Sequence, residues 1–186
     1  MNRKADPEIR SLPTGQTEEY DLEYLMRTYG NDVLRMAYSY VKDYDTAEDI
    51  FQEVFIKVNA NLAEFRGESS VKTWILRITV NACKDYLKSA YSRRVTMFSE
   101  EEETQIPTED TTTEIERKQD GEQIRKALLL LPEKYREVLV CLYFEERSVA
   151  ETAKVLGLSE GTVKSRLSRA RDKFRVILER EWKGGA

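Results

Sequence analysis

Histidine is absent from this chain of 186 residues. The absence excludes Ser-His-Asp and Cys-His catalysis, histidine-based zinc sites and proton shuttling by imidazole at neutral pH. Hydrophobic residues make up 40% of the chain and charged residues 34%, which is enough apolar mass for a core and unlike a disordered composition. The sequence therefore predicts a folded protein without histidine-dependent chemistry.

Long apolar runs are also absent. The longest run, Val138–Phe144, has seven residues, whereas a membrane-spanning helix needs about 20. The first residues, 1–13, are polar and lack the apolar core of a signal peptide. We therefore expect no membrane insertion and a cytoplasmic protein.

Cysteine and glycine are both sparse. The two cysteines, Cys83 and Cys141, have no Cys-x-x-Cys spacing and lie among apolar residues. Two buried free thiols in a reducing cytoplasm are favoured over a disulfide, which the number of cysteines alone still allows. The eight glycines form neither of the common phosphate-binding loops.

The net charge of −4 hides a strong sorting of charge along the chain. Residues 100–122 contain ten acids and two bases, whereas residues 72–94 and 164–175 each contain six bases and one acid. Two basic segments that flank an acidic one are compatible with a nucleic-acid partner, which the net charge alone does not suggest.

Four parts of the chain differ in character. Residues 1–19 indicate a flexible tail, and residues 95–121 an acidic flexible linker with few apolar side chains. Residues 20–94 and 122–183 carry helical periodicity, and no stretch alternates with period two for long enough to form a strand. The sequence predicts an all-α protein of two small helical domains joined by the linker.

Two helices open the N-terminal domain. Apolar spacing predicts a helix over residues 21–41 and a second helix capped by Asp45 or Thr46. The polar face of the second helix carries Asp49, Gln52, Glu53, Ile56 and Ala60. Carboxylates beside an exposed isoleucine are typical of a protein-docking surface, although a solvated face with one stray apolar residue has the same spacing.

A third helix, capped by Ser69 or Ser70, is predicted to bury an apolar face. Its reverse face carries Thr73, Arg77, Asn81, Lys84 and Lys88, with Phe65 and Trp74 near its start. Bases beside aromatic rings suit phosphate neutralisation and base stacking on single-stranded nucleic acid. A solvated basic face above core aromatics fits the same residues equally well.

The C-terminal domain begins with two helices that Pro132 separates. They are predicted over residues 122–131 and 133–146, because proline ends the first helix and suits the first turn of the second.

A helix-turn-helix follows. Ser148 caps a short helix that Gly157 ends, and Ser159 caps the last helix. Ala153, Gly157 and Val163 have the required spacing, because a small residue lets the helices touch, glycine makes the turn and an apolar residue joins the second helix to the first.

The last helix has an outward face of small and basic residues. The residues that point away from its apolar side, or that flank this outward face, are Gly161, Lys164, Ser165, Arg166, Ser168, Arg169, Arg171, Asp172 and Lys173. Such a helix can enter the DNA major groove, with Ser and Arg at base edges and Lys at phosphates. A helical hairpin with a basic solvated face is the alternative.

Several segments resemble parts of bacterial sigma-70-type RNA polymerase sigma factors. Residues 49–58 (DIFQEVFIKV) are similar to the motif that binds core polymerase. Residues 65–67 (FRG) and 73–87 (TWILRITVNACKDYL) are similar to the promoter-melting part. Residues 131–139 (LPEKYREVL) and 161–171 (GTVKSRLSRAR) are similar to the domain that binds the upstream element. Two such domains joined by a short acidic linker are the layout of the extracytoplasmic-function (ECF) group.

The resemblance implies sigma region 2 over residues 20–94 and sigma region 4 over residues 122–183. It also implies that the clamp helices of the largest polymerase subunit would be contacted by four residues of the second helix, Asp49, Gln52, Glu53 and Ile56.

The resemblance further implies two sets of DNA contacts. The −10 element would be held by Phe65, Arg66, Ser70, Lys72, Trp74, Arg77, Asn81, Lys84 and Lys88. The −35 element would be read by the helix-turn-helix, at about residues 149–168, whose second helix continues beyond this range. The contacts would come from Gly161, Thr162, Lys164, Ser165, Arg166, Ser168, Arg169 and Arg171.

The implied function is a transcription initiation factor without catalytic residues, cofactor or metal. Its partners would be core RNA polymerase, promoter DNA and, as is usual in this group, an anti-sigma factor. A stand-alone helix-turn-helix regulator is the alternative. A phosphodiesterase built on Asp43, Asp45, Glu48 and Asp49 is a third hypothesis, but acids at a helix start are explained more simply by the helix dipole.

Overall fold

The computed structural model describes residues 21–97 and 117–183, with side chains over 21–91 and 123–180. These ranges hold seven α-helices and no strand, which confirms the predicted all-α class. The helices are α1 (Leu22–Val41), α2 (Tyr44–Asn61), α3 (Val71–Met97), α4 (Arg117–Leu130), α5 (Glu133–Leu139), α6 (Val149–Leu156) and α7 (Glu160–Lys183). The predicted tail and most of the predicted linker lie outside the described residues. No described helix is long and apolar enough to cross a membrane.

The start of α2 differs from the prediction. Asp43 has the extended backbone of an N-cap, and its carboxylate accepts hydrogen bonds from the Thr46 amide at 2.8 Å and the Thr46 hydroxyl at 2.5 Å. The helix therefore begins at Tyr44, and the predicted cap at Asp45 or Thr46 is wrong because both residues lie inside the first turn. The same hydrogen bonds hold the pKa of Asp43 below its usual value.

The core of the N-terminal domain lies between α1, α2 and α3. Its fully buried side chains include Leu25, Val33, Met36, Ile50, Val54, Val58, Ile75, Leu76 and Val80. Gly30 lies where α1 approaches α2, and a Cβ at this position would be 3.2 Å from the Phe51 ring. Glycine therefore allows a closer contact between the two helices than alanine would.

The third helix is buried more extensively than predicted. Ser70 caps it, because the Ser70 hydroxyl accepts the Thr73 amide at 3.2 Å, which confirms one of the two predicted caps. Thr73, expected on the outward face, is buried and 2% exposed. The physical reason is that α3 packs against α6 of the C-terminal domain as well as against α1 and α2.

The C-terminal domain departs from the prediction after α5. The α-helical pattern ends at Leu139, and Val140–Phe144 form a π-helical turn in which the Glu145 amide donates to the Val140 carbonyl at 3.0 Å. The predicted helix over residues 133–146 is therefore wrong in its second half. Arg136 is buried and donates to the carbonyls of Leu129 and Leu131, at 2.9 and 3.0 Å. These bonds satisfy free carbonyls at the end of α4.

The helix-turn-helix is formed by α6 and α7, and its predicted signals are confirmed. Ser148 and Glu151 form a capping box at the start of α6. Gly157 ends α6 with a φ of 67°, which favours glycine. The Ser159 hydroxyl accepts the Thr162 amide at 3.1 Å and caps α7.

The two domains pack against each other, which the sequence did not predict. Helix α3 contacts α6, and α1 contacts α5. Cys83 and Cys141, one from each domain, are buried free thiols as predicted. The domain contact contains two groups of charged residues, each arranged around one buried glutamate of the C-terminal domain.

The first group surrounds Glu137, which is only 4% exposed. Its Oε2 accepts a hydrogen bond from the Tyr40 hydroxyl at 2.5 Å and lies 3.8 Å from Lys84 Nζ. Its Oε1 accepts a hydrogen bond from Arg166 at 2.6 Å. Tyr40 and Lys84 belong to the N-terminal domain and Arg166 to the C-terminal domain, so this carboxylate joins the two.

The second group surrounds Glu145, which has no exposed surface. Its two oxygens lie 3.1 Å from Arg35 Nε and 3.1 Å from Lys72 Nζ, without the geometry of hydrogen bonds. Asp32 lies 2.9 Å from both Arg35 and Lys72 and competes for the same cations. Burial, followed by the charge of Asp32, raises the pKa of Glu145 to about 7 against the opposing effect of Lys72 and Arg35.

This pKa predicts a pH dependence of the domain contact. The packed state binds the Glu145 proton more tightly than a separated state, in which the pKa returns towards 4.5. Protonation of Glu145 therefore stabilises the packed state fully below about pH 4.5, and this stabilisation is lost as the pH rises through about 7. We expect the wild-type melting temperature to fall more between pH 6 and pH 8 than that of Glu145→Gln, measured by circular dichroism. Parallel pH profiles for the two proteins would contradict this assignment.

Candidate docking face and nucleic-acid interfaces

The outward face of α2 combines acids with one apolar side chain. Asp49, Gln52, Glu53 and Ile56 are all exposed, and Ile56 is 70% exposed. The opposite side of the helix is held in the core by Ile50 and other apolar residues. Glu53 also forms an ion pair of 2.6 Å with Lys57 on the same helix, which leaves Asp49 as the less neutralised acid of the face. This arrangement can desolvate an apolar centre beside a basic partner.

A polar cavity with two aromatic rings lies at the start of α3. Its volume is about 380 Å³, and Phe65 and Trp74 meet there with ring centroids 4.9 Å apart. The other lining residues are Glu64, Arg66, Glu68, Ser69, Thr73, Arg77 and Lys154. Aromatic faces beside arginine side chains are suited to stacking a planar base and to binding a nearby phosphate.

The predicted −10 residues are divided between three locations. Phe65, Arg66, Trp74 and Arg77 line the cavity, whereas Asn81 and Lys88 are exposed further along α3. Ser70 caps the helix. Lys72 and Lys84 take part in the domain contact, where Lys72 pairs with Asp32 and Glu145 and Lys84 lies near Glu137.

The outward face of α7 exposes most of the predicted −35 residues. Gly161, Lys164, Ser165, Ser168, Arg169 and Arg171 are exposed, while Thr162 and Arg166 are half-buried. The Ser165 hydroxyl donates to the Thr162 carbonyl at 3.0 Å, and Arg171 Nε donates to the Tyr143 hydroxyl at 2.9 Å. Arg166 donates a hydrogen bond to the Glu137 carboxylate. Within residues 21–91 and 123–180, Lys164, Ser168 and Arg169 make no side-chain hydrogen bond or ion pair.

The residues that join the domains have only a weak signature in the sequence. Helical periodicity does not distinguish Tyr40, Glu137 and Glu145 from other helical positions, but an acid stands at each end of the apolar run Val138–Phe144. Acids that flank a fully apolar run in a helical segment are the one signal that indicates buried charge here. Their partners lie far away in sequence, since Tyr40 and Glu137 are 97 residues apart.

The acids at the start of α2 have structural explanations. Asp43 is the helix cap, and Asp45 lies in the first turn, where the helix dipole favours negative charge. Across the described part of the chain, no three acidic or cysteine side chains are grouped so that they could hold a metal ion.

Two family models match the chain. The model for sigma-70 region 2 matches residues 25–93, and the model for sigma-70 region 4 matches residues 121–174. The two matches cover the N-terminal bundle and the helix-turn-helix domain respectively.

Curated relatives match over most of their length. The ECF RNA polymerase sigma factor SigM of Mycobacterium tuberculosis is 30% identical over 161 residues, which cover 87% of this chain and 79% of that protein. The ECF RNA polymerase sigma factor SigW of Bacillus subtilis is 30% identical over 161 residues, which cover 81% of this chain and 84% of that protein.

Solved structures share the fold. The sigma factor RpoE of Bartonella quintana, solved in complex with the anti-sigma factor NepR, has a TM-score of 0.67 and 24% identity over 86% of this chain and 97% of that chain. CnrH, solved with the cytosolic domain of CnrY, has a TM-score of 0.61 and 23% identity over 85% of this chain and 87% of that chain. With both sigma-70 regions matched and about four fifths of each curated relative covered, the chain belongs to the ECF group of sigma-70-type RNA polymerase sigma factors.

Proposed function

We propose that the chain binds core RNA polymerase and directs promoter-specific initiation. The observation that carries this proposal is that both sigma-70 regions occur in one chain, each with its own candidate surface. The α2 face serves polymerase, the aromatic cavity and α3 serve the −10 element, and α7 serves the −35 element.

Polymerase docks on the α2 face. Asp49 and Glu53 meet basic side chains on the clamp helices of the largest subunit, Gln52 adds hydrogen bonds, and Ile56 supplies the apolar centre. An exposed isoleucine is desolvated on docking, which contributes affinity, while the carboxylates orient the partner.

The −10 element is opened by capture of an extruded base. The base leaves the stack and enters the cavity, where Phe65 and Trp74 offer ring faces; unstacking costs a few kcal/mol, which stacking and pocket contacts offset. Arg66 and Arg77 beside the cavity, with Asn81, Lys84 and Lys88 along α3, hold the non-template strand. No bond is made or broken in this process, so the chain acts without catalysis of its own.

The −35 element is read as duplex DNA by α7. Ser165, Ser168 and Arg169 face the base edges of the major groove. Gly161 and Thr162 lie near the start of the helix, close to the sugar-phosphate backbone of the DNA. Lys164, Arg166 and Arg171 contact phosphates, which fix the orientation of the helix without reading sequence.

A protein inhibitor controls the chain in the cytoplasm, where promoter DNA and polymerase are found. The support is that RpoE of Bartonella quintana, which shares the fold, was solved in complex with the anti-sigma factor NepR. We extend that class of partner, an anti-sigma factor, to this chain.

The proposal as a whole is tested by transcription in vitro. Purified chain added to core RNA polymerase and a promoter library is expected to produce start-site-specific transcripts. A gel shift with naked duplex DNA separates the alternative, since a stand-alone helix-turn-helix regulator would bind tightly without polymerase. Tight binding to naked DNA with no start-specific transcript would overturn the proposal.

The docking face predicts a loss of polymerase affinity. We expect Asp49→Ala with Glu53→Ala to weaken core binding about tenfold, or about 1.4 kcal/mol, because two charges that face the partner are lost. Fluorescence anisotropy against core polymerase measures the change. The matched control is Glu23→Ala with Glu179→Ala, which removes two exposed acids on other helices. Equal affinity of both double variants for core polymerase would show that the α2 face is ordinary solvated surface and does not bind polymerase.

The recognition helix predicts a loss of sequence discrimination. Arg169→Ala is expected to cost about 1–3 kcal/mol of −35 recognition with core binding unchanged, because a base contact is removed. Holoenzyme binding to the cognate promoter and to promoters with altered −35 positions measures the effect, with Arg180→Ala as an exposed control on the same helix. A loss of the same size on every upstream sequence would place Arg169 on phosphate instead.

A further inference from the structure

Arg171, one of the proposed −35 residues, is held in place by the exposed side chain of Tyr143. Arg171 Nε donates to the Tyr143 hydroxyl oxygen at 2.9 Å, and Arg171 Nη2 donates to the same oxygen at 2.5 Å. The guanidinium carbon lies 5.8 Å from the centre of the tyrosine ring, close to the outer limit of about 6 Å for a cation–π contact. The hydroxyl end of Tyr143, rather than its ring face, therefore positions the guanidinium.

The π-helical turn places Tyr143 on the surface. Leu139, four residues earlier, is only 5% exposed, and residues four apart share one face of an α-helix. A continued α5 would therefore turn Tyr143 towards the core. The wider turn over Val140–Phe144 breaks this register, and Tyr143 is 55% exposed. An irregular backbone just before the helix-turn-helix thus brings an aromatic hydroxyl to the side of α7.

The charge of Arg171 is not neutralised by this contact. A tyrosine hydroxyl is a neutral partner, and within residues 21–91 and 123–180 Arg171 forms no ion pair. Arg166 differs, because it lies 2.6 Å from the Glu137 carboxylate. Arg171 therefore keeps its full charge for an anion, and its fixed orientation reduces the entropy that is lost when the anion binds.

Both partners keep hydrogen-bond donors for an anion. A guanidinium has five N–H groups, and the Tyr143 oxygen accepts from two of them. The remaining three lie on Nη1 and Nη2, in the fork geometry that binds two oxygens of a phosphate. The Tyr143 O–H has no acceptor in the described part of the chain, so it too can donate to a phosphate beside Arg171.

The pair lies at the end of a row of side chains on α7. Lys164, Ser168 and Arg171 follow one another at intervals of four and three residues, so they share one side of the helix. All three are exposed. A row of exposed donors that ends at Tyr143 suits a DNA backbone lying along that side of α7.

We propose that Tyr143 and Arg171 form a clamp for one phosphate of the −35 element, in which the Tyr143 hydroxyl orients Arg171 and also donates to the phosphate. This inference rests on the proposed function for the presence of DNA against α7. Tyr143 precedes the helix-turn-helix, so the clamp extends the DNA contact to the π-helical turn. It fixes the position of α7 in the groove and reads no base.

The clamp is tested in holoenzyme on promoter DNA. Tyr143→Phe removes the hydroxyl and keeps the ring, and Tyr24→Phe makes the same change at an exposed tyrosine of α1 as the matched control. We expect Tyr143→Phe to weaken binding about fivefold on every −35 sequence, which is the effect of about one hydrogen bond. Its salt dependence is expected to stay unchanged because no charge is lost, whereas Arg171→Ala is expected to lower the logarithmic slope by about 1.

Neutral methylphosphonates placed singly along the −35 backbone identify the phosphate. We expect one position at which the substitution weakens wild-type holoenzyme about tenfold. At that position the loss is expected to fall to about twofold in Tyr143→Phe and in Arg171→Ala, because the contact is already impaired. Tyr24→Phe is expected to behave like the wild-type chain. A tyrosine that only supports the fold would leave the loss at every position unchanged.

Three results would overturn the clamp. In the first, Tyr143→Phe binds promoter DNA as tightly as Tyr24→Phe. In the second, its loss is confined to particular −35 base pairs, so that the pair reads a base. In the third, every methylphosphonate weakens Tyr143→Phe as much as the wild-type chain. Failure of the proposed function looks different, because wild-type holoenzyme would then show no −35 preference and no start-specific transcript.

Discussion

The carboxylate of Glu137 is the contact on which the arrangement of the two domains depends. A buried charge is tolerated only when hydrogen bonds and opposite charges replace its lost water, and Glu137 obtains these from Tyr40 and Arg166, with Lys84 nearby. Removing one partner leaves the others uncompensated, so the contact forms or dissolves as a unit. Glu145 is less well served, since Asp32 competes for its cations and its pKa is raised to about 7.

A chain with a net charge of −4 can bind DNA because its charges are sorted along the sequence. The bases are concentrated on α3 and α7, but the packed state pairs part of them with acids of the chain. Charge neutralised inside the molecule is unavailable to phosphate.

Local features of this fold were predictable and long-range ones were not. The helix-turn-helix followed from the Ser148 and Ser159 caps and Gly157, because a cap depends on residues three positions apart. The cap of α2 was missed by two residues, since Asp43, Asp45 and Thr46 are all competent and only geometry selects one. The burial of Thr73 and the role of Glu137 depend on a second domain packing on α3, and helical periodicity carries no information about that packing. The assignment of individual DNA contacts stays a prediction, although the cavity at Phe65 and Trp74 brings together side chains that the sequence placed only near each other.

The most direct measurement is the distance between the domains before and after polymerase binds. Dyes on Thr28→Cys and Glu179→Cys, both exposed, report it by energy transfer, while the buried native thiols stay unlabelled. The account predicts high transfer in the free chain and a large fall on addition of core RNA polymerase, in a complex that starts transcription at a defined site. A transcriptionally active complex in which transfer remains as high as in the free chain would contradict it.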